Sequence, residues 1–199
     1  FAYNPYPSKN HAGDVGKAKA EMRKAGYASG MYDGPAVTLY TFNATPSPQT
    51  AKVMVASLAK IGITANIKLA SIDAMFTKFC VVERFLPHVC TLGWLPDFKD
   101  PVTMIDPLFN SAAINPNYTN NMTLCSDKKI DAGLERTKLI KNPRARYAAW
   151  GRIDRMIMQQ APVIMTQWTD VPNVVSDRIV PAKLLWNAGL LDLSATSIK

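Results

Sequence analysis

The sequence predicts an α/β domain, a β-sheet flanked by helices. Three observations predict it: a strand–helix–strand unit near the N-terminus, apolar stripes at helical spacing in several later segments, and the lack of any internal repeat or low-complexity run. The 199 residues are enough for one large domain with a sizeable core. Hydrophobic residues make up 48% and charged residues 19%, the balance of an ordinary globular chain and not of a disordered one.

The first helix is expected over residues 14–25. Asp14 can cap it, Ala18, Met22 and Ala25 share one face, and Gly26 supplies a left-handed stop. A Gly- and Pro-containing loop (30–35) leads into 37–42, whose alternation reads as a strand. Pro46-Ser47-Pro48 opens a second helix with an apolar stripe of Ala51, Val55, Leu58 and Ala59, closed by Gly62. Residues 63–69 alternate again, with Ile63, Ala65, Ile67 and Leu69 on one side and Thr64, Asn66 and Lys68 on the other. Such a unit forms parallel strands with a right-handed crossover. A helix over 72–82, a short strand over 87–93, a Pro- and Asp-rich loop over 93–101 and a helical turn over 102–109 follow. After an Asn-rich connection (110–121) come helices over 128–139 and 144–160, with Pro143 at a first helical position. Residues 162–168 read as a buried strand and 171–180 as an extended segment, and the tail to residue 199 lacks periodicity.

No apolar run approaches the ~20 residues of a membrane-spanning helix. The chain opens Phe1-Ala2-Tyr3-Asn4-Pro5 with neither Met nor signal peptide, as a mature or truncated chain would. Its net charge of +8 is scattered over helices that also carry apolar stripes, which points to solvated outer faces. Basic and aromatic residues are not interleaved as a base-stacking surface requires, so nucleic acid is not an expected partner. Cys80, Cys90 and Cys125 are too few and too widely spaced for a zinc knuckle; one disulfide with a free thiol and three buried thiols both fit them. Asn43-Ala44-Thr45, Asn117-Tyr118-Thr119 and Asn121-Met122-Thr123 match the glycosylation sequon.

Catalytic sets are missing. His88 and Cys90 share a strand face, but the sequence offers no orienting third group or oxyanion site beside them. Together they supply only two metal ligands, and neither His88 nor His11 has a second histidine at ligand spacing. Gly-x-Ser-x-Gly and phosphate-cradling glycine loops do not occur. Asp97 and Asp100 form a carboxylate pair bracketed by Pro96 and Pro101, a rigid loop that serves ligand positioning as naturally as proton transfer. Neither an enzyme nor a metal or cofactor is expected. The stretch Gly93-Trp94-Leu95-Pro96-Asp97-Phe98-Lys99-Asp100-Pro101 stands out instead. A Trp and a carboxylate on a Pro-stiffened loop at a strand end make a binding corner, in which the ring excludes water and the carboxylate meets a cation at reduced dielectric. A core Trp94 and an Asp97 that caps the following turn fit the same residues equally well.

Ordered blocks of this sequence resemble the family 5 solute-binding proteins of ABC importers, the dipeptide, oligopeptide and nickel binders. Lys17-Ala18-Lys19-Ala20 through Lys24-Ala25-Gly26-Tyr27 resembles the family's helix ending in Ala-Gly-Tyr. Leu58-Ala59-Lys60-Ile61-Gly62-Ile63 resembles its helix-to-strand turn, and Arg146 through Ala161-Pro162-Val163-Ile164 its late helix. The most specific block is Gly93–Pro101, similar to Gly-Trp-x-x-Asp-(Tyr/Phe)-x-Asp-Pro. The resemblance implies a periplasmic-binding-protein-like C-terminal lobe (1–173) with a mixed β-sheet flanked by helices, and a segment (174–199) returning toward an absent first lobe. It implies an extracytoplasmic location, periplasmic or as a cell-surface lipoprotein anchored outside this chain, and two partners: a small peptide ligand and an ABC transporter permease. In peptide-binding members the Asp of the Gly-Trp motif pairs with the ligand's α-ammonium, a role that falls on Asp97, with Trp94, Gly93 and Phe98 beside it. Some members carry Arg three residues before the motif Trp; here that position is Thr91, so a fixed clamp for a peptide carboxylate is not implied. A nickel chelate or oligosaccharide as ligand, or a basic module that meets other surfaces, are the alternatives.

Overall fold

A computed structural model describes residues 6–85, 87–166, 174–180 and 191–199. Helix α1 (Val15–Lys24) is capped by Asp14, whose carboxylate accepts the Lys17 N–H. Strand β1 (Val37–Phe42) and strand β2 (Ala65–Ala70) flank α2 (Ser47–Ala59) and pair in parallel from Val37↔Ala65 to Phe42↔Ala70. This is the parallel pairing that the alternating segments predict. Between α2 and β2 the chain turns at Gly62 (φ +84°), where a Cβ would stand 2.5 Å from the Tyr32 carbonyl oxygen. Only glycine fits there.

The segment after β2 departs from a plain helix. One α-helical turn, α3 (Ile72–Ala74), runs into a π-helical turn, Met75–Phe79. The Cys80 N–H reaches back to the Met75 carbonyl at 3.1 Å, a five-residue step. That step puts Met75 and Cys80, both fully buried, on the same side. They pack with Ala70 beneath Tyr40 and Phe79, whose rings stack 4.4 Å apart.

Strand β3 is limited to Val89–Cys90, shorter than the expected 87–93, and pairs in parallel with Leu39 and Tyr40 of β1. The sheet order is β2-β1-β3. Because all three strands run the same way, their carboxyl ends share one edge. The loop 93–101 then leads to α4 (Val102–Phe109), as expected. Helices α5 (Lys128–Lys138) and α6 (Pro143–Gln160) follow, with Asp127 and Asn142 as their caps. Phe109, Ile130, Leu134, Trp150, Ile153 and Ile157 join α4, α5 and α6 in a second buried cluster.

The expected buried strand over 162–168 is not found in its described part, 162–166, which carries no strand. Ile164 and Met165 are instead 73% and 59% exposed; residues 167 and 168 lie outside the described residues. A continuous apolar run has no period, so sequence alone does not reveal which side, if any, is covered within this chain. Part of the extended segment 171–180 also lies outside the described residues. Its end, β4 (Ile179–Val180), pairs antiparallel with β5 (Ser197–Ile198), so parallel and antiparallel pairing both occur. Among the described residues no helix is long and apolar enough to cross a membrane.

Candidate ligand-binding site

The expected corner divides into a fixed half and an open half. Trp94 is half-buried, and its indole N–H donates to the Thr103 carbonyl at 2.9 Å, which pins the ring to the first turn of α4. Asp100, not Asp97, meets the start of that turn: Asp100 Oδ1 accepts the Val102 N–H at 2.9 Å. Asp100 Oδ2 lies 2.9 Å from Arg146 Nε of α6, an ion pair between largely covered side chains. Thr103 closes the loop from below, its hydroxyl donating to the carbonyls of Asp100 (3.1 Å) and Phe98 (3.3 Å).

Asp97 has none of these ties. It is exposed and meets no hydrogen-bond or ion-pair partner among the described residues. Phe98 beside it is 56% exposed and Leu95 is 64% exposed. The loop thus rests on Asp100, Thr103 and Trp94, and it turns a carboxylate and two apolar side chains outward. The carboxylate pair drawn from the sequence is two separate groups, one structural and one unengaged.

Gly93, at the start of the loop, has no atom within 4 Å of where a Cβ would stand. It borders a cavity of about 260 Å³ at the carboxyl edge of β1 and β3. This is where open parallel sheets receive ligands, because strand ends and the loops after them leave a crevice. Among the described residues, five hydroxyl side chains line it: Thr41 at the end of β1, Ser47 and Thr50 in the first turn of α2, Thr91 just beyond β3, and Thr166. Phe42 and Leu92 add apolar wall. Thr41 is fully buried on the same face of β1 as Leu39, and its hydroxyl lies 2.6 Å from that of Thr91.

Sequence reasoning did not find these hydroxyls. A signal was available: the carboxyl ends of two segments read as strands, 37–42 and 87–93, together with the first turn of the helix that follows the first. The Cys–His pairing has a structural outcome. Cys90 forms a disulfide with Cys80, and His88 Nδ1 accepts the Thr38 N–H at 3.0 Å. Cys125 is free and buried, and burial raises its thiol pKa. The sequon at Asn121 is occupied internally: that residue is fully buried and its amide donates to the carbonyls of Cys125 and Asn110.

A second hollow, about 580 Å³ and wide, lies between the end of α5 and the start of α6 beside Lys138, Lys141 and Arg146. Two of its cations are already paired, Lys138 with Asp106 and Glu135, and Arg146 with Asp100.

The chain is 28% identical over 121 residues to the probable ABC transporter periplasmic-binding protein SapA of Escherichia coli, a match covering 60% of this chain and 21% of that protein. The chain thus spans about a fifth of the length of the curated relatives it matches. Among solved structures, the clavulanic acid biosynthesis oligopeptide binding protein 2 superposes with a TM-score of 0.84 at 22% identity, covering 98% of this chain and 36% of that one. The periplasmic binding protein DppA from Helicobacter pylori, in complex with the peptide STSA, gives 0.65 at 26% identity over 80% of this chain and 30% of its own. Residues 1–116 match the family model described as bacterial extracellular solute-binding proteins, family 5 Middle. That match takes in α1 through the loop 93–101 and the whole cavity rim except Thr166, and the chain belongs to this family.

Proposed function

We propose that this chain is a ligand-binding lobe of an extracytoplasmic solute-binding protein that captures peptides for an ABC importer, and that Asp97 is the counter-charge for the ligand's α-ammonium. The observation that carries this reading is the exposed, unengaged Asp97 on a loop whose other carboxylate and Trp are both committed to the fold. A carboxylate kept out of the fold's own network is available to a cation, and closure over it strengthens the pair by removing water. Trp94, Gly93 and Phe98 flank it, the ring fixed, the glycine leaving space, the phenyl outward.

The disulfide between Cys80 and Cys90 supports an oxidising, extracytoplasmic compartment. The relatives are named as periplasmic-binding and peptide-transport proteins, and one solved neighbour holds a peptide, which supports a peptide ligand and a permease as partners. Residues 1–173 form the lobe in this reading. Residues 174–199, whose described strands pair only with each other, return toward a first lobe.

Calorimetry on the full-length protein tests the site. A tetrapeptide with a free N-terminus is expected to bind Asp97→Asn about thirtyfold or more weaker than wild type, the scale of truncating one partner of a desolvated charge pair. N-acetylation of the peptide is expected to cost wild type as much and the variant almost nothing further, because the same contact is already gone. Unchanged affinity in the variant sinks the assignment.

A further inference from the structure

The cavity at the carboxyl edge of β1 and β3 has a lining that restricts what enters it. Among the described residues that line it, none is charged and five carry hydroxyls. Resting on the peptide-capture reading above, we propose that this cavity is a side-chain subsite selecting an uncharged, hydrogen-bonding side chain (Ser, Thr, Asn or Gln in character), with Thr91 as its specificity-determining residue.

Charge is the first consideration. A carboxylate or ammonium moved from water into a pocket without a counter-charge keeps its desolvation cost unmet. Of the loop's charges, Asp100 holds Arg146 and the Val102 N–H, and the exposed Lys99 is not among the described residues that line the cavity. Asp97, in the reading above, belongs to the ligand's terminus. A charged side chain therefore finds no counter-charge among the described lining residues.

Hydrogen bonding is the second. A hydroxyl both donates and accepts, so a wall of hydroxyls satisfies amides and alcohols in either sense. Thr41 is wholly buried, and its contact with Thr91 at 2.6 Å occupies it from within. Thr91 is half-buried, lines the cavity together with Thr41, and donates its hydroxyl proton to the Thr41 hydroxyl, which leaves its oxygen able to accept. Its backbone is fixed as well: the Thr91 N–H donates to the Tyr40 carbonyl at 3.0 Å, one residue beyond the Cys90 that the disulfide ties to Cys80. Thr91 thus holds its hydroxyl at a set place with hydrogen-bonding capacity left for a ligand. The volume of about 260 Å³ admits a side chain of Gln size with its hydrogen-bonding head.

The test uses full-length protein and free-N-terminus tetrapeptides in which Gln, Glu or Met is walked through each position of an Ala background. At one position Glu is expected to bind about tenfold or more weaker than Gln, the near-isostere differing in charge. At that same position Met, similar in length but without the amide, is expected to bind about fivefold weaker, the scale of one net hydrogen bond. Thr91→Val is expected to remove the advantage of Gln over Met, and Thr91→Ser to keep it. Melting curves of both variants check that the fold is retained. If Glu binds within twofold of Gln at every position while binding still depends on Asp97, the subsite is wrong and the peptide reading stands. If Thr91→Val leaves the Gln preference intact, Thr91 is not the selecting residue. If no peptide of the panel binds, the capture reading and the subsite fall together.

Discussion

At the scale of single residues, two similar carboxylates have different uses because of what lies within reach of each. Asp100 meets a helix N-terminus and an arginine, Asp97 meets neither. A third carboxylate, Asp127, shows what engagement does to titration. It caps α5, accepting the N–H groups of Lys129 (2.7 Å) and Ile130 (3.1 Å), and its other oxygen accepts from Gln160 Nε2 at the far end of α6 (2.7 Å). The Ile130 N–H, then the Gln160 amide and the Lys129 N–H, hold its pKa below the ordinary carboxylate value. A carboxyl whose pKa is depressed by folding contributes stability above its unfolded value, and that contribution is lost as pH falls through the folded one. Wild type is therefore expected to melt higher than Asp127→Ala at pH 7, and the gap is expected to narrow as pH falls below about 4. Melting temperatures of both proteins from pH 7 to pH 2.5 check this. A gap that stays constant or widens toward acid contradicts the assignment.

At the scale of elements, the segment from β2 to β3 shows what was legible and what was not. β1, α4 and the two late helices were legible because their apolar spacing and caps agree with one period each: Val37–Phe42 alternates, and Asp127, Asn142 and Pro143 stand where helices begin. The segment 72–82 was not, since its buried Met75 and Cys80 are five residues apart, a spacing that neither a helix of period 3.6 nor a strand explains. Of the site, the Gly-Trp loop was legible through its residue types. The hydroxyl cavity was not, because it is assembled from strand ends and a helix start that are distant in sequence. The same segment carries the disulfide, joining the end of the π-helical turn to the end of β3 across 6.2 Å between Cα atoms. β3 has only two residues paired with β1, so the covalent tie carries much of its placement. Cys80→Ala/Cys90→Ala is expected to lower stability by about 2–3 kcal/mol for a loop of this length. Denaturant unfolding with and without reductant measures it: wild type in reductant should approach the variant, and the variant should not respond. A variant as stable as oxidised wild type would show that β3 is held by its strand pairing alone.

At the scale of the whole molecule, the described residues hold two buried clusters, one beside the sheet and one among α4, α5 and α6, and the Gly-Trp loop, which follows Leu92 of the first, is tied to the helices of the second by Trp94 and Asp100. The proposed binding edge is the outer side of that loop. Asp97, Leu95 and Phe98 all face outward there. An ion pair in that setting is worth only about 0–1 kcal/mol, whereas the same pair shut away from water is worth several times more. The chain spans about a fifth of its curated relatives, and the proposed capture depends on closure by the remainder. Residues 1–199 alone are therefore expected to fold, and to bind the preferred tetrapeptide about a hundredfold or more weaker than the full-length protein. Calorimetry on both proteins at matched ionic strength makes the comparison. The net charge of +8 gives the experiment a second reading. Residual binding to the isolated chain that ignores Asp97→Asn and falls steeply with salt would come from its basic faces and not from the site. Equal affinity of the two proteins, with full dependence on Asp97, would place the whole of the binding energy in this lobe and remove closure from the account.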